Sequence, residues 1–549
     1  MKQSVMICLS LCLFIAPLLA EPYMEAKDTD GALRLSADNT TYIDANNILM
    51  FVTNRGIIGR DLEDVFGCDA GTFYPFDGDT ANVNCSNPTS TPCPLYSAAL
   101  WLVGVDAATG DTLAALAEYA SEFTPGPMAG GTFQTDAPEF RVYKLYSDSL
   151  AANPNTDYTE YLQFAVGQGA PIEVNGSDTI PAMIGDQMLW SVYNDADTTR
   201  HTLNSSSTNP MGVEIRQTTF ALNAAGAQDD IVYLRWRVYN KGGNSFTNLY
   251  LSVWIDPDLG FASDDKSGCD TLEQLGFCYN MDNDDTQYGT APPCIGGILL
   301  QSPAVFTGVN TDTACTFGYK VPGFINAPMS SLRVYIGGTD PADFRETYNL
   351  MHGLSQGGFP YVYNNDTLDF MYSGDPVTGT GDIVATATDQ RFMLNMGPLT
   401  LAADDSTEVI AAIVMGQGAD NLASITQMRA NAAEAVTYYE SLIQSPLAAD
   451  DANPALPALL SLKQNYPNPF NPETTIEYTL ARSSHATLTV YNILGEEIAR
   501  PVDGFQTAGD HTCTWDGKDR NGAAVSSGIY FYKLTVEGGA ETRRMILIK

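Results

Sequence analysis

The sequence predicts a mainly β protein: a β-sandwich-rich body with a C-terminal α-helix, followed by a small antiparallel β-sandwich. Three observations predict this fold class. Apolar and polar residues alternate over many short segments, which Gly, Asn, Asp and Pro turns separate. One segment, 421–442, instead carries an apolar stripe at three- and four-residue spacing. The charge balance changes sharply near residues 446–460, which indicates a boundary between modules.

Composition limits the classes of function. The chain has 549 residues, of which 44% are hydrophobic, so it can build real cores and wholesale disorder is excluded. It carries 65 acidic against 27 basic residues, a formal net charge of −38. Nucleic acid and anionic lipid surfaces would repel such a chain, so we expect neither as a partner.

The N-terminus has the organisation of a secretory signal peptide, residues 1–20. Lys2 precedes an apolar run over 5–19, and Ala20 ends the run before the polar Glu21. A run of about 15 apolar residues is too short for a membrane anchor, and no later stretch approaches the length needed. We therefore expect an exported mature chain that has no transmembrane segment.

Cysteine usage agrees with export to an oxidising compartment. Two cysteines lie in the signal segment, seven in the body and one, Cys513, near the C-terminus, where we expect a small buried apolar residue. Local clustering of the seven predicts short-range disulfides, with at most three bridges and one free thiol. The seven body cysteines are Cys68, Cys85, Cys93, Cys269, Cys278, Cys294 and Cys315.

Charge and composition define the predicted organisation along the chain. Residues 461–549 carry nine basic and ten acidic residues, whereas 21–460 carry 17 basic and 55 acidic residues. Residues 446–460 are rich in Pro, Ala and Asp and are typical of a linker. We therefore predict an acidic β-rich extracellular body over 21–445, as one unit or two subdomains, and a separate module over 461–549.

Two strands in the body have the clearest alternation. Ile231–Asn240 and 248–256 each place apolar residues on one face, and the intervening 241–244 is typical of a hairpin loop. Tyr250 and Trp254 fall on the other face of the second strand, where we expect them to be exposed.

Two helices complete the predicted body. The longer, 421–442, has one apolar stripe, and the shorter, 341–350, has Pro in its first turn. The stripe of the longer helix comprises Ile425, Met428, Ala432, Ala435 and Tyr439.

Acidic residues cluster at the end of the second strand and in the loops that follow. Alternating carboxylates and amides in a loop can converge on one hard cation, so we predict a structural Ca²⁺ site, against the alternative of a solvated acidic loop. The pattern is not an EF-hand, because Asp285 stands at the loop glycine position and the distal Glu is missing. Asp195 and Asp197 form a smaller candidate. The predicted metal ligands are Asp256, Asp258, Asp264, Asp265, Asp282 and Asp284.

Residues that carry catalysis are scarce. The body offers only His201 and His352 for histidine chemistry, and Ser355 in its Gly-x-Ser-x-Gly sequence lacks the strand before and helix after that a nucleophile elbow needs. We assign no catalytic and no organic cofactor-binding residues and expect a non-enzyme. Paired carboxylates leave one rival open, a secreted hydrolase that acts on polysaccharide.

The C-terminal module contains the most specific sequence signal. Six strands alternate in polarity between turns, and we expect Leu488, Val490, Cys513 and Trp515 to point inward. Five sequence motifs follow one another along the module. They are Asn-Tyr-Pro-Asn-Pro-Phe-Asn-Pro from residue 465, Val-Tyr-Asn-Ile-Leu-Gly from 490, Trp-Asp-Gly from 515, Ser-Gly-Ile-Tyr-Phe-Tyr from 527 and Met-Ile-Leu-Ile-Lys from 545. With this order and spacing, residues 461–549 resemble the type A C-terminal sorting domain of the type IX secretion system, which is similar to the immunoglobulin-like domain of the flagellar hook-capping protein.

The resemblance implies a bacterial cargo that is addressed through residues 461–549 to an outer-membrane translocon. It implies a protein secreted from, or attached to, the outer surface of a Gram-negative bacterium. The body more loosely resembles large exported proteins that carry the same tail and have no established activity. The sequence therefore predicts a secreted or cell-surface structural or binding protein, and a secreted polysaccharide hydrolase is the alternative.

Overall fold

A computed structural model gives the architecture. It describes residues 39–63, 65–68, 70–84, 91–134, 137–147, 157–175, 178–307, 309, 311–316, 318–449, 460–468, 470–480, 484–492, 497–507, 509–520, 522–536 and 539–548. The predicted signal peptide lies outside these residues. Within them, no helix is both long enough and apolar enough to cross a membrane.

The chain divides into two compact units, Met1–Leu447 and Ala448–Lys549. The first contains the body and the second the C-terminal module. The fold is mainly β, as the sequence predicts, with antiparallel sheets in both units.

The body is built on two large antiparallel sheets. The five-stranded sheet has the order Ser331–Ile336, Gln390–Leu401, Phe246–Asp256, Ser97–Asp106 and Thr112–Ala115. The nine-stranded sheet has the order Asp265–Asp270, Leu275–Asn280, Cys294–Gln301, Ser406–Gly416, Ile231–Asn240, Val213–Ala221, Gln187–Asn194 and Thr124–Pro125, and Tyr143–Tyr146 also pairs with Gln187–Asn194.

The main core lies between these two sheets. Val232, Leu234 and Trp236 from the nine-stranded sheet share one buried cluster with Val253 and Phe392 from the five-stranded sheet. The alternation in Ile231–Asn240 therefore directs one set of side chains into a sandwich core. The body is a β-sandwich, which confirms the predicted fold class.

A helix covers the other face of the nine-stranded sheet. Asn421–Ala449 packs there through the predicted stripe, and Ile425 and Met428 join Tyr233 and Phe277 in a second buried cluster. All five stripe residues are buried, as predicted. The helix continues past the predicted end at residue 442, and it includes Pro446.

The shorter helix, Phe344–Met351, begins after Asp343, whose side chain accepts hydrogen bonds from the Arg345 and Glu346 amides. Other helical turns are Thr80–Asn82, Tyr158–Glu160, Tyr161–Ala165, Val166–Gln168, Ala227–Asp230 and Ala262–Asp264. The smaller strands of the body are Thr40–Ile43, Leu49–Thr53 and Thr72–Phe73, and the pairs Ile172–Asn175 with Asp178–Pro181, Asp284–Asp285 with Gly289–Thr290, Ala304–Phe306 with Phe324–Asn326, Thr313–Thr316 with Tyr319–Pro322, and Tyr361–Tyr363 with Asp366–Leu368.

The predicted hairpin is wrong. Ile231–Asn240 pairs with Val213–Ala221 and Ser406–Gly416, whereas Phe246–Asp256 belongs to the five-stranded sheet. Residues 241–245 therefore cross from one sheet of the sandwich to the other. Alternating polarity shows only that a strand has a buried face. It does not show whether two consecutive strands pair in a hairpin or belong to different sheets.

The predicted disulfide framework is also wrong for most of the body. Five body cysteines are buried free thiols, so three bridges cannot form. Cys68 is disulfide-bonded, and Cys85 lies outside the described residues. Cys269 and Cys278 belong to the main core, and Cys294 to the core under the long helix, so these cysteines act as small apolar residues. The five free thiols are Cys93, Cys269, Cys278, Cys294 and Cys315.

The C-terminal module is a small sandwich with its own core. One sheet has the order Leu460–Leu462, Thr474–Leu480 and Gly509–Trp515, and the other Glu497–Gln506, Ser484–Tyr491, Gly528–Val536 and Gly539–Leu547. Leu488, Val490 and Trp515 are buried in this core, as predicted, and Cys513 packs against it while partly buried.

Candidate functional site

Three carboxylates meet at one edge of the five-stranded sheet. Asp256 ends strand Phe246–Asp256, Asp258 follows two residues later, and Asp389 directly precedes strand Gln390–Leu401. These two strands are antiparallel neighbours, so the end of one lies beside the start of the other. One oxygen from each carboxylate lies within 4.8 Å of the other two.

Arg391 and Tyr119 hold this cluster. The Arg391 Nε lies 3.1 Å from Asp256 Oδ1, and its Nη1 donates to Asp389 Oδ1. The Tyr119 hydroxyl donates to Asp256 Oδ2 at 2.9 Å and accepts from Arg391 Nε at 2.9 Å. Three carboxylates against one guanidinium leave a formal charge of −2 if all three are ionised.

The surroundings of the cluster disfavour the ionised form of two of its carboxyl groups. Burial, together with the negative charge of Asp258, raises the pKa of Asp256 to about 8, against the opposing effect of Arg391. Burial, with the negative charge of Asp389, raises the pKa of Asp258 to about 6. Both carboxyls thus resist ionisation in this surrounding, and a divalent cation with a preference for oxygen ligands would remove that resistance.

The structure brings two of the six predicted ligands together, Asp256 and Asp258. Asp265 is fully buried but does not belong to the three-carboxylate group. Its Oδ2 accepts a hydrogen bond from the Leu259 amide at 2.9 Å. Burial raises the pKa of Asp265 well above its ordinary value, and burial also raises that of Asp264.

The other two predicted ligands are exposed, Asp282 in a bend and Asp284 at the start of the short strand Asp284–Asp285. The Asp282 amide donates to Asn280 Oδ1 at 3.1 Å, and the Asp284 amide donates to Asp282 Oδ1 at 3.0 Å. Neither Asp282 nor Asp284 is part of the three-carboxylate group. The sequence analysis missed Asp389, because only the pairing of its strand with Phe246–Asp256 brings it to the cluster.

The smaller acidic candidate has a structural role. Asp195 is fully buried and accepts hydrogen bonds from the Met211, Gly212 and Val213 amides at 2.6, 2.9 and 2.7 Å. The Asp197 side chain accepts from the amide and hydroxyl of Thr199. Backbone donors therefore satisfy the Asp195 carboxylate, and Thr199 satisfies one oxygen of Asp197.

His201 belongs to a buried network rather than to an open catalytic site. Its Nδ1 lies 3.7 Å from Glu122 Oε2, and its Nε2 lies 2.8 Å from the Asp195 carbonyl oxygen. Ser206 donates to Glu122, and Ser205 donates to Glu118 at 2.5 Å. Burial raises the pKa of Glu122 to about 8 and that of Glu118 to about 7.

The aromatic side chains expected to be exposed are not. Trp254 is fully buried and stacks on Trp101 with ring centres 5.2 Å apart, and it donates to the Tyr335 hydroxyl at 2.7 Å. Tyr250 is buried against Tyr348. Both faces of this strand are covered, so neither ring offers a surface on which a sugar could stack.

In the C-terminal module, the motif that opens the resemblance ties the first segment to the last strand. The Asn465 side-chain amide donates to the Pro467 carbonyl and to Thr474 Oγ1. The Phe470 amide donates to the Ile546 carbonyl, and the Ile548 amide donates to the Phe470 carbonyl, each at 2.9 Å. The motif therefore closes the sandwich.

Two aromatic side chains from the other motifs complete this arrangement. The Tyr532 hydroxyl donates to the Lys463 carbonyl at 2.8 Å and accepts from the Asn465 amide at 2.7 Å. The Trp515 ring contacts Phe470 and Tyr530. The motif residues thus meet one another in one folded unit, and Tyr466, within the first motif, remains 82% exposed.

A family match covers most of the C-terminal module. Residues 471–540 match the FlgD Ig-like domain family. The FlgD structure from P. aeruginosa is 27% identical over 14% of this chain and 60% of its own, with a TM-score of 0.12. No curated protein matches the chain.

The other similar structures are more distant. A polysaccharide lyase is 9% identical over 69% of this chain and 40% of its own, with a TM-score of 0.18. PorZ, a surface component of the type-IX secretion system of Porphyromonas gingivalis, is 10% identical over 69% of this chain and 44% of its own, with a TM-score of 0.13. The chain spans less than two thirds of each of these three structures, and TM-scores this low say nothing about function.

Proposed function

We propose that the protein is a secreted or cell-surface structural or binding protein of a Gram-negative bacterium, and that residues 461–549 direct its export through the type IX secretion system. The observation that supports the proposal most is the C-terminal module. It has a separate core, its motif residues bond to one another, and residues 471–540 match the FlgD Ig-like domain family. A translocon can recognise such a folded unit by its shape, and the module is the surface that the translocon would bind.

The test compares the location of four products in a bacterium that has a type IX translocon. These are the full chain and a chain without residues 461–549, each expressed in the parent strain and in a translocon-deficient strain. We expect the full chain on the surface or in the medium of the parent strain only, and the truncated chain in the periplasm of both. Surface display of the truncated chain would reject the sorting role.

A surface residue separates recognition from folding. Tyr466 is 82% exposed, and Phe505, on another strand of the module, is 71% exposed. Neither ring is needed by the core, so alanine at either position should leave the melting temperature of the module unchanged. We expect Tyr466→Ala to retain the chain in the periplasm and the control Phe505→Ala to be exported. Equal export of both would exclude the Tyr466 ring from recognition.

We further propose that the body holds a structural Ca²⁺ at Asp256, Asp258 and Asp389. The convergence of the three carboxylates and the raised pKa values of Asp256 and Asp258 support this role. An extracellular module needs only weak affinity, because Ca²⁺ outside cells reaches about 1 mM. The ion would tie the ends of two neighbouring strands and stiffen the body.

Melting curves with about 1 mM Ca²⁺ and with a chelator test this site. We expect Ca²⁺ to raise the melting temperature of the full chain, and Asp389→Asn to abolish that rise. Asp284→Asn is the control, because its side chain is exposed and outside the group. A melting temperature that is the same in Ca²⁺ and in chelator would reject the ion.

The proposed role of the body is not enzymatic. Hydrolysis of a glycosidic bond requires two carboxyl groups that face a substrate in a cleft. The clustered carboxylates here are held by Arg391 and Tyr119, and the neighbouring Trp254 is buried. Polysaccharide hydrolysis therefore gains no specific support from the described residues.

A further inference from the structure

A cavity of about 390 Å³ lies beside the buried histidine network of the body. Three separate chain segments line it, including Arg55, Ser121, Asp197, Thr199, Arg200 and Thr202. This volume falls within the range of small-molecule sites. None of its lining residues belongs to the three-carboxylate group or to the C-terminal module.

Arg200 is the unusual member of this lining. Its guanidinium makes no hydrogen bond and no ion pair with the described residues, although it is half-buried in a chain with 65 acidic residues. Asp197, which also lines the cavity, directs its Oδ1 to the Thr199 amide at 2.9 Å and hydroxyl at 2.7 Å. An arginine left without a carboxylate in such a chain can bind an anion from outside, and its planar donors fit a carboxylate.

Contacts with buried residues hold the segments that line the cavity in place. Ser121 precedes the buried Glu122, and Arg200 precedes His201, whose ring lies between Glu122 and Asp195. The Ser121 hydroxyl donates to the Arg55 carbonyl at 2.6 Å. Because these neighbours are buried, the lining segments lose little conformational entropy when a ligand binds.

The other lining groups narrow the class of ligand. Ser121, Thr199 and Thr202 offer hydroxyl oxygens, and the carboxylate of Asp197 can accept from ligand hydroxyls. Asp197 would repel a second negative charge, which disfavours phosphate dianions and sulfate. The cavity therefore suits a monoanion that also carries several hydroxyl groups.

We propose that this cavity binds the carboxylate of a hydroxylated acid, such as a uronic acid unit of an acidic sugar, with Arg200 as the anion-binding residue. The inference rests on the binding role proposed for the body and is independent of export by the C-terminal module. Arg200 binds the carboxylate, and the serine, threonine and aspartate oxygens bind the hydroxyl groups.

Isothermal titration of the purified full chain tests the site, with glucuronate and galacturonate as probes and with glucose and inorganic phosphate as comparisons. We expect saturable binding of at least one uronate, and binding at least about tenfold weaker for glucose and phosphate. Arg200→Gln should weaken uronate binding at least about tenfold. Arg345→Gln is the matched control, because Arg345 is 71% exposed on another part of the body.

Three results would overturn the proposal. Neither uronate binds saturably, Arg200→Gln and Arg345→Gln bind the uronate equally, or phosphate binds as tightly as the uronate. Because the titration uses purified protein, it does not depend on the location of the chain in the cell. A failure of the sorting role would leave uronate binding unchanged, and the absence of uronate binding would leave export unchanged.

Discussion

The two units differ in the polar side chains that they bury. In the body, the carboxylates of Asp256, Asp195 and Glu408 are fully or almost fully buried, and another segment of the chain supplies the donors or the cation that each needs. In the described part of the module, the buried polar side chains are the neutral Asn465, Thr474 and Thr489.

The two units therefore illustrate two ways of stabilising a β fold. The module depends on an apolar core and on backbone hydrogen bonds, which local sequence patterns specify. The body additionally holds buried charges, which are costly unless their partners are in place, so its stability depends on long-range topology and on pH. The following experiments test that contrast, starting with the largest expected effect.

Cavities in the two cores should act on separate units. Trp254 is fully buried in the body and Trp515 is 3% exposed in the module. Replacing either by alanine leaves a large cavity, and we expect a loss of about 3–5 kcal/mol in the unfolding free energy of the unit that carries it. Calorimetry of the full chain measures both transitions, and Leu272→Ala, 91% exposed, is the control. Equal lowering of both transitions by one substitution would contradict the contrast.

Removal of one charged side chain should lower the unfolding free energy far more in the body than in the module. The Glu408 side chain is fully buried, 2.7 Å from Arg235 and 2.9 Å from Arg237. Glu408→Ala leaves these guanidinium groups without their buried partner, and we expect a loss of about 3 kcal/mol in unfolding free energy. In the module, Lys463 and Glu477 pair while more than half exposed, so Glu477→Ala should cost less than about 1 kcal/mol. Denaturant titration measures both, and similar losses would refute the distinction.

The stability of the body should fall as the pH rises. Burial raises the pKa of Glu118 to about 7 and that of Glu122 to about 8, so the folded body keeps protons that the unfolded chain releases near the ordinary value of 4.5. Their stabilising effect is fully present below that value and is lost as the pH rises through about 7 to 8.

Glu122→Gln isolates this effect because glutamine does not titrate. Between pH 6 and 9 we expect the wild type to lose about 2 kcal/mol more unfolding free energy than the variant. Glu434→Gln, on the exposed side of the long helix, should follow the wild type. Parallel pH profiles for the wild type and Glu122→Gln would show that Glu122 does not bind this proton.

Sequence patterns revealed what local structure determines. The stripe from Ile425 to Tyr439 gave the face of the long helix, and alternation placed Leu488 and Trp515 in the module core. The same reasoning misassigned the loop after Asn240, because a crossover and a hairpin join strands of equal polarity. It also predicted wrongly that Trp254 is exposed. The sequence pattern of the strand does not show that other segments cover both of its faces.

The candidate sites were less accessible to sequence reasoning. Asp258 and Asp389 are brought together by strand pairing across more than a hundred residues, and no local spacing records that neighbour. Among the described residues, the Arg200 guanidinium has no ion-pair partner, and only the positions of the packed side chains show this. Buried cysteines such as Cys278 were interpreted as disulfide partners because composition alone does not distinguish a cross-link from an apolar side chain.

The backbone bonds between Phe470 and the strand that ends the module have a consequence for synthesis. The sandwich closes completely only after the ribosome has added Ile546 and Ile548, because these two residues supply the backbone hydrogen-bond partners of Phe470. A polypeptide that terminates early therefore lacks a finished module, however well the preceding body has folded. If a receptor recognises only the closed form, it rejects unfinished translation products without inspecting the rest of the chain.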